Sequence, residues 1–561
     1  MAATGQLRPA RGPRAFSPAV SRASTLTALA VVIGLLVVLP ILSLCWIAAA
    51  SGGESLLKLF RTVLPGAALT TSLLMVGVAV LTGMMGAMGA WLVTFFDFPG
   101  RRIFSWAMVL PLAVPTYLAA YAFVEFFSFT GPVQHFIRSL GGFETSRDYF
   151  FPNIRSLVGA VLILSLVLYP YVYLACRALF ALQGRRLVEA SQLLGAGQWR
   201  IFRRILLPMA RPAIALGITL ALMEAINDIG AVEFLGVRTL TFSVFSLWLN
   251  QGDLAGAAQL SLVLLLVVFG LILIERRARR DQRYFELRSS GQGTFTLPRL
   301  RGPTAVVAFA ACLFPIATGF GIPAYVLGGY AMKRLEGFVE PKLLEALTTS
   351  LIFAAAAAAV TVAAGFVLAY WTRLRGQRRE SALIRLATIG YAIPGTIVAL
   401  GLFIPIAAFD NAVDGFMRGR FGIATGLLLS GSGALILYAY AIRFMAMAEG
   451  ALDGGLKKLS PNLDMAARTL GRNHLQTVRQ VLLPLLWPPL ATGALLVFID
   501  SLKELSATIL LRPFGVNTLS TYIYEFASRA RVEDASPAAF VIILAGITPV
   551  YLLSHMARRG N

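Results

Sequence analysis

Charge is scarce in this 561-residue chain. Asp, Glu, Lys and Arg make up 14% of it, against roughly 25% in soluble domains. Acidic residues are the scarcer sign, 27 against 49 basic. The three cysteines, Cys45, Cys176 and Cys312, stand far apart in apolar runs, which excludes a disulfide framework and Cys-based metal spacing. The three histidines, His135, His474 and His555, are equally dispersed. There is no Walker A sequence, no His-Glu-x-x-His, no Cys-x-x-Cys and no nucleophile elbow. Phosphate cradling and hydrolytic chemistry have nothing to stand on. No catalytic residue, metal ligand or resident cofactor is assigned, and energy for any work must come from a partner.

What is abundant is apolar sequence: 57% of residues are hydrophobic and mean hydropathy is +0.75. The pattern predicts an all-α membrane protein of about twelve transmembrane helices. The net charge of +22 fits basic residues gathered in cytoplasmic loops. No basic patch is interleaved with exposed aromatics, so nucleic acid is not expected as a partner; the lipid bilayer is.

Residues 1–24, with Arg8, Arg11, Arg14 and Arg22, read as a disordered basic cytoplasmic tail. Thr25 to Ala50 competes with a signal peptide ending at Ala48-Ala49-Ala50. Signal cores run about 7–15 residues, whereas this run can cross about 30 Å of hydrocarbon, so it is read as a retained first span. The second, about Ala67–Phe95, carries Gly83, Gly86 and Gly89, a bare strip for close helix packing. The third, about Ile103–Phe127, should kink at Pro111 and Pro115. A polar outer segment follows, then a fourth span (about Ile154–Leu179), an Arg-rich loop, a fifth (about Pro212–Leu235) and a sixth (about Ala255–Ile274). Residues 25–274 form the first half, 275–303 a basic cytoplasmic linker, and 304–561 the second half, again of six spans. Both termini then lie in the cytoplasm.

The second half repeats the first. Gly195 and Gly471 are 276 residues apart (471 minus 195), and Pro208/Pro484 and Pro212/Pro488 keep that offset. Leu69-Thr-Thr-Ser-Leu73 matches Leu347-Thr-Thr-Ser-Leu351, and the Ala354–Ala359 run replaces the glycine strip. Gly236-Val-Arg-Thr-Leu-Thr241 matches Gly515-Val-Asn-Thr-Leu-Ser520. Ionisable groups recur inside the spans. Glu224, Asn227 and Asp228 stand at i, i+3 and i+4, and Asp500, Lys503 and Glu504 repeat the spacing 276 residues on. On a continuous helix each trio shares one face. Glu224 lies twelve residues past Pro212, about 18 Å deep at about 1.5 Å per residue. Charge at that depth is costly unless it faces a cavity or a partner. The trios therefore either line a route between the halves or form a structural polar seam.

Glu189-Ala-Ser-Gln-Leu-Leu-Gly195, followed by Ile205-Leu-Leu-Pro208, resembles the docking loop of permease subunits of ATP-binding-cassette importers. Its second copy is Met465-Ala-Ala-Arg-Thr-Leu-Gly471 with Val481-Leu-Leu-Pro484. In that family the loop is a short cytoplasmic helix seated in a cleft of the ATPase. The resemblance implies a type I importer permease fold of two pseudo-symmetric six-helix halves. It implies docking by Glu189, Ala190, Ser191, Gly195, Leu207 and Pro208 in one loop. Met465, Ala466, Ala467, Gly471, Leu483 and Pro484 are the counterparts in the other. Met465 departs from the family's Glu, with Asp464 one residue before it. Two copies of a cytoplasmic ATPase, a periplasmic substrate-binding protein and a bacterial inner membrane follow as implied partners and location.

Lys503 to Ser520 and Asn227-Asp-Ile-Gly-Ala231 resemble the ferric-iron branch, to which thiamine, sulfate and aminophosphonate permeases are related. An ion-coupled secondary transporter, with Asp228 and Glu504 as proton or sodium sites, is the reading from another class. The paired docking loops decide against it.

Overall fold

Backbone polar groups in lipid must be satisfied within the chain, which leaves helices as the way to bury these runs. The computed structural model describes residues 18–50, 53–181, 185–279, 297–375, 382–460 and 462–559. Among them the regular elements are helical, apart from one isolated bridge between Asp97 and Arg299. Most of the expected tail and of the linker lies outside the described residues. Helix α1 begins at Pro18 and runs to Ala50.

The first half continues with α2 (Leu64–Phe95), α3 (Thr116–Phe127), α4 (Leu157–Leu179), α5 (Arg185–Leu193), α6 (Leu207–Asn227) and α7 (Leu254–Arg279). The second comprises α8 (Pro303–Ile316), α9 (Ile322–Lys333), α10 (Pro341–Arg375), α11 (Gly395–Phe421), α12 (Ala434–Lys458), α13 (Asn462–Thr469), α14 (Trp487–Lys503) and α15 (Val532–Arg559). Nine stretches among the described residues are long and apolar enough to cross a membrane, and two bent pairs bring the number to eleven. The twelfth expected span falls in α15, whose side chains are described only as far as Thr548.

Both bends have a proline cause. Residues Arg101–Ala113 meet α3 at 94°. Val114 between them is extended, as the residue before Pro115 must be. The second bend, 74° ahead of α14, falls just before Pro488-Pro489, where two successive backbone donors are missing. Its counterpart, Pro212-Ala213, has one proline, and α6 runs through it unbroken. Pro40 in α1 withholds the donor that would have met the Leu36 carbonyl. The Tyr438 hydroxyl supplies it at 2.7 Å.

Three helices form the centre of each half: α2, α4 and α6 in one, α10, α12 and α14 in the other. The glycine strip does what its spacing implies. A Cβ on Gly86 would stand 2.8 Å from the Tyr173 nitrogen and 2.9 Å from the Tyr169 oxygen, so α2 and α4 touch backbone to backbone. In the second half Ala354, Ala357 and Ala358 are buried.

One hydrogen bond pins each half in the same way. The Leu240 N–H donates to Thr71 Oγ1 at 2.9 Å, and the Leu519 N–H to Ser350 Oγ at 2.7 Å. This pairs Thr71 with Ser350, one residue out of the register in which the two Leu-Thr-Thr-Ser-Leu stretches align by eye. The hydroxyl that reaches the loop sets the register; the matching letters do not.

The halves also exchange their first helices. α1 packs on α11 and α10 of the second half, while α9 packs on α3 of the first. Gly401 of α11 comes so close to α1 that a Cβ there would stand 2.3 Å from the Pro40 oxygen.

Candidate functional site

The two docking loops fold alike. α5 and α13 each end in a glycine with φ +77°, Gly195 and Gly471. The Ala196 N–H closes onto the Ser191 oxygen, and the Arg472 N–H onto the Ala467 oxygen, both at 3.0 Å. A Cβ on either glycine would meet nothing within 4 Å, so the left-handed backbone alone calls for glycine. A short helix and a π-helical turn follow in both copies, then Leu207-Pro208 or Leu483-Pro484 begins the next helical segment.

Each loop presents bare apolar side chains at matched positions. Leu194 is 87% exposed and Leu470 81%; Trp199 and Leu475 are exposed as well. Glu189 and Ala190 lie on the exposed face, as do Met465 and Ala466, while Ser191 and Ala467 are turned inward.

The loops differ in what holds them. Trp91 of α2 stacks on Phe202 at 4.4 Å between ring centres and also packs on Trp199. In the second half the clasp is polar. Arg373 bonds Asp464 at 2.7 Å and donates to the carbonyls of Leu456, Leu459 and Ser460. Asp464 therefore faces inward and does not replace the glutamate that Met465 lacks.

The intramembrane trios do not lie on continuous helices, contrary to the expectation from spacing. α6 stops at Asn227, and the backbone of Asp228 is extended. The side chain of Asp228 caps the next helix, Ile229–Phe234, by accepting from the Ala231 N–H at 2.9 Å. α14 stops at Lys503, and Glu504 accepts from the N–H groups of Ala507 and Thr508 at 2.9 and 3.0 Å. A carboxylate that satisfies the first donors of a new helix ends the old one.

The breaks nonetheless bring all six residues together. Glu224, Asn227, Asp228, Asp500, Lys503 and Glu504 line one cavity of about 100 Å³. The walls cross between halves. Asn227 Oδ1 accepts from the Gly395 N–H at 2.6 Å, Ser506 Oγ donates to the Asn227 carbonyl at 2.7 Å, and Lys503 Nζ donates to the Leu112 carbonyl at 3.2 Å. Arg443 of α12 is buried and bonded to Glu504. Among the described residues, Asp228 Oδ2, Tyr117 Oη and Arg443 Nε are buried without a hydrogen-bond partner. Among the described residues, no three His, Cys, Asp or Glu side chains cluster closely enough to hold a metal ion.

Two stretches of the chain, residues 79–280 and 361–559, match the family described as binding-protein-dependent transport system inner membrane component. The chain belongs to this family.

The permease is 28% identical over 543 residues to the Fe(3+)-transport system permease protein FbpB 2 of Haemophilus influenzae, covering 95% of this chain and 98% of that protein. It is 22% identical over 453 residues to the ferric transport system permease protein FbpB of Actinobacillus pleuropneumoniae, covering 77% of this chain and 61% of that one. The sulfate transport system permease protein CysW of Escherichia coli is 30% identical over 209 residues, 36% of this chain and 69% of that protein. The family places the permease in the inner membrane beside a binding protein and an ATPase.

Sequence reasoning missed Arg443, Tyr391 and Ser506 of the cavity wall. Arg443 carried a signal: it is a lone charge in the apolar run from Ala434 to Met447, the kind of residue that marks function or a buried partner in a span. Tyr391 and Ser506 carried none, because tyrosine and serine are unremarkable at span ends.

Proposed function

We propose that this permease carries ferric iron from a periplasmic binding protein to the cytoplasm by alternating access, powered by two copies of a cytoplasmic ATPase. The observation that carries the reading is the pair of like-folded loops, 276 residues apart, each offering an exposed leucine at the end of a short helix. Closure of the ATPases on ATP would draw the loops together and rock one half against the other around the central cavity, a rigid-body switch between two packings. The chain itself hydrolyses nothing; force enters through Leu194 and Leu470 and is delivered at Asn227 and Lys503. The relatives named for ferric transport span both halves, which favours iron over the solutes of relatives that match one half.

The test is uptake by a deletion strain complemented with the permease, its ATPase and its binding protein. Radiolabelled ferric iron should accumulate, and sulfate, thiamine and aminophosphonate should not. A Gly195→Arg/Gly471→Arg variant should stay folded, lose the ATPase on co-purification and lose uptake. Full uptake by that variant, or uptake that survives loss of the ATPase and collapses with a protonophore, overturns the reading.

A further inference from the structure

The acids at the centre are not alike. Glu504 is committed: it is bonded to Arg443 and to the N–H groups of Ala507 and Thr508. Asp228 gives one oxygen to the Ala231 N–H. Glu224 and Asp500 differ from both. They are equivalents in the two halves and line the cavity together with Arg443 and Lys503, and no hydrogen bond or ion pair at 4 Å or less holds either of them among the described residues. Tyr171 and Tyr391, one from each half, line the same space. Asp228 and Tyr117, 7% and 3% exposed, line it as well, and Asp228 Oδ2 and Tyr117 Oη have no hydrogen-bond partner among the described residues.

We propose that Glu224 and Asp500, with the phenol oxygens of Tyr171 and Tyr391, form a transient halfway site for a hard trivalent cation. The inference rests on the reading of the cavity as the transport route for ferric iron, and names the groups that handle the ion there. Oxygen donors of this kind suit hard cations. The charge balance points the same way. The wall carries four carboxylates, Glu224, Asp228, Asp500 and Glu504, against two cations, Arg443 and Lys503, and Arg443 is paired with Glu504. An anion entering would meet the Glu224 and Asp500 carboxylates, whereas a cation offsets the cost of holding them in the membrane.

Each half supplies one carboxylate and one phenol. A rocking motion therefore assembles the donors in one packing and separates them in the other, so the site releases its ion by the movement that opens the route. Two carboxylates hold an ion less firmly than the three or more of a resident metal site, which suits passage.

The probe is Tb³⁺, a hard trivalent ion whose luminescence is excited through nearby tyrosine, titrated into the purified full chain in detergent. The wild type should show a saturable tyrosine-excited signal. Glu224→Gln/Asp500→Asn should weaken its apparent affinity by about tenfold or more, while Glu224→Asp stays within about threefold. In the complete transporter the double variant should lose about nine-tenths or more of iron uptake. It should elute and bind the ATPase like wild type, which shows that it is folded. An unchanged Tb³⁺ titration in a well-folded double variant overturns the halfway site, whatever solute is imported. Absence of iron uptake by the wild type overturns the transport reading instead, so the two failures are told apart.

Discussion

Asn227 and Lys503 occupy the same place in the two halves, and each reaches into the other half. Asn227 accepts from the Gly395 N–H at 2.6 Å, and Lys503 donates to the Leu112 carbonyl at 3.2 Å. Gly395 follows Pro394, and Leu112 lies three residues before Pro115. Each half thus grips the proline-broken part of the other's third span. Asn227→Ala strips the Gly395 N–H of its acceptor, a loss of about 1–3 kcal/mol for a buried donor. The expected result is a several-fold rise in ATP hydrolysis without substrate in the reconstituted complex, and a smaller increment when loaded binding protein is added. Unchanged basal hydrolysis would show that the clasp does not hold the resting state.

The loop glycines are there for their backbone angle. With open space around both, a side chain costs only the left-handed strain, about 1–2 kcal/mol for an ordinary residue and less for asparagine. Gly195→Asn should co-purify with the ATPase nearly as wild type does, while Gly195→Val should recover distinctly less. Equal recovery for both would move the requirement from backbone to surface shape.

The unlike anchors of the two loops can be separated. Arg373→Ala removes the clasp on Asp464 and on three carbonyls. Amide exchange should rise across residues 456–470 and stay unchanged in 185–202. Trp91→Ala should do the reverse. A variant that loosens both loops together would show them to be one unit.

Arg443 and Glu504 form a buried ion pair. Arg443→Leu leaves a carboxylate uncompensated and should destabilise the protein by about 3–5 kcal/mol. Arg443→Met/Glu504→Gln should recover much of that loss. Thermal unfolding in detergent reads the difference; a double variant no more stable than the single would mean that Glu504 is held mainly by the backbone donors of Ala507 and Thr508.

Along α2 the glycines differ in what they permit. At Gly86 an added side chain collides with α4 backbone, whereas at Gly83 it meets only the tip of Ile218, 3.3 Å away. Gly86→Val should cost about 1–3 kcal/mol, as overpacking does, and Gly83→Ala much less. The relative thermal stabilities of the two variants check the assignment of this face.

The sequence by itself determined that the chain spans a membrane many times, that it is one bundle written twice, and that two matched loops stand at corresponding places. These follow from local chemistry: apolar runs must become helices in lipid, and a repeat at fixed offset needs no coordinates to be seen. Only the tertiary structure decided that Asp228 and Glu504 end their helices, since a cap and a mid-helix acid have the same spacing in sequence. It alone put Arg443 on Glu504, 61 residues away, matched Thr71 with Ser350 and laid α1 across the opposite half. Each of these is a choice among partners remote in sequence, made by which side chain reaches which backbone, and no periodicity along the chain records it.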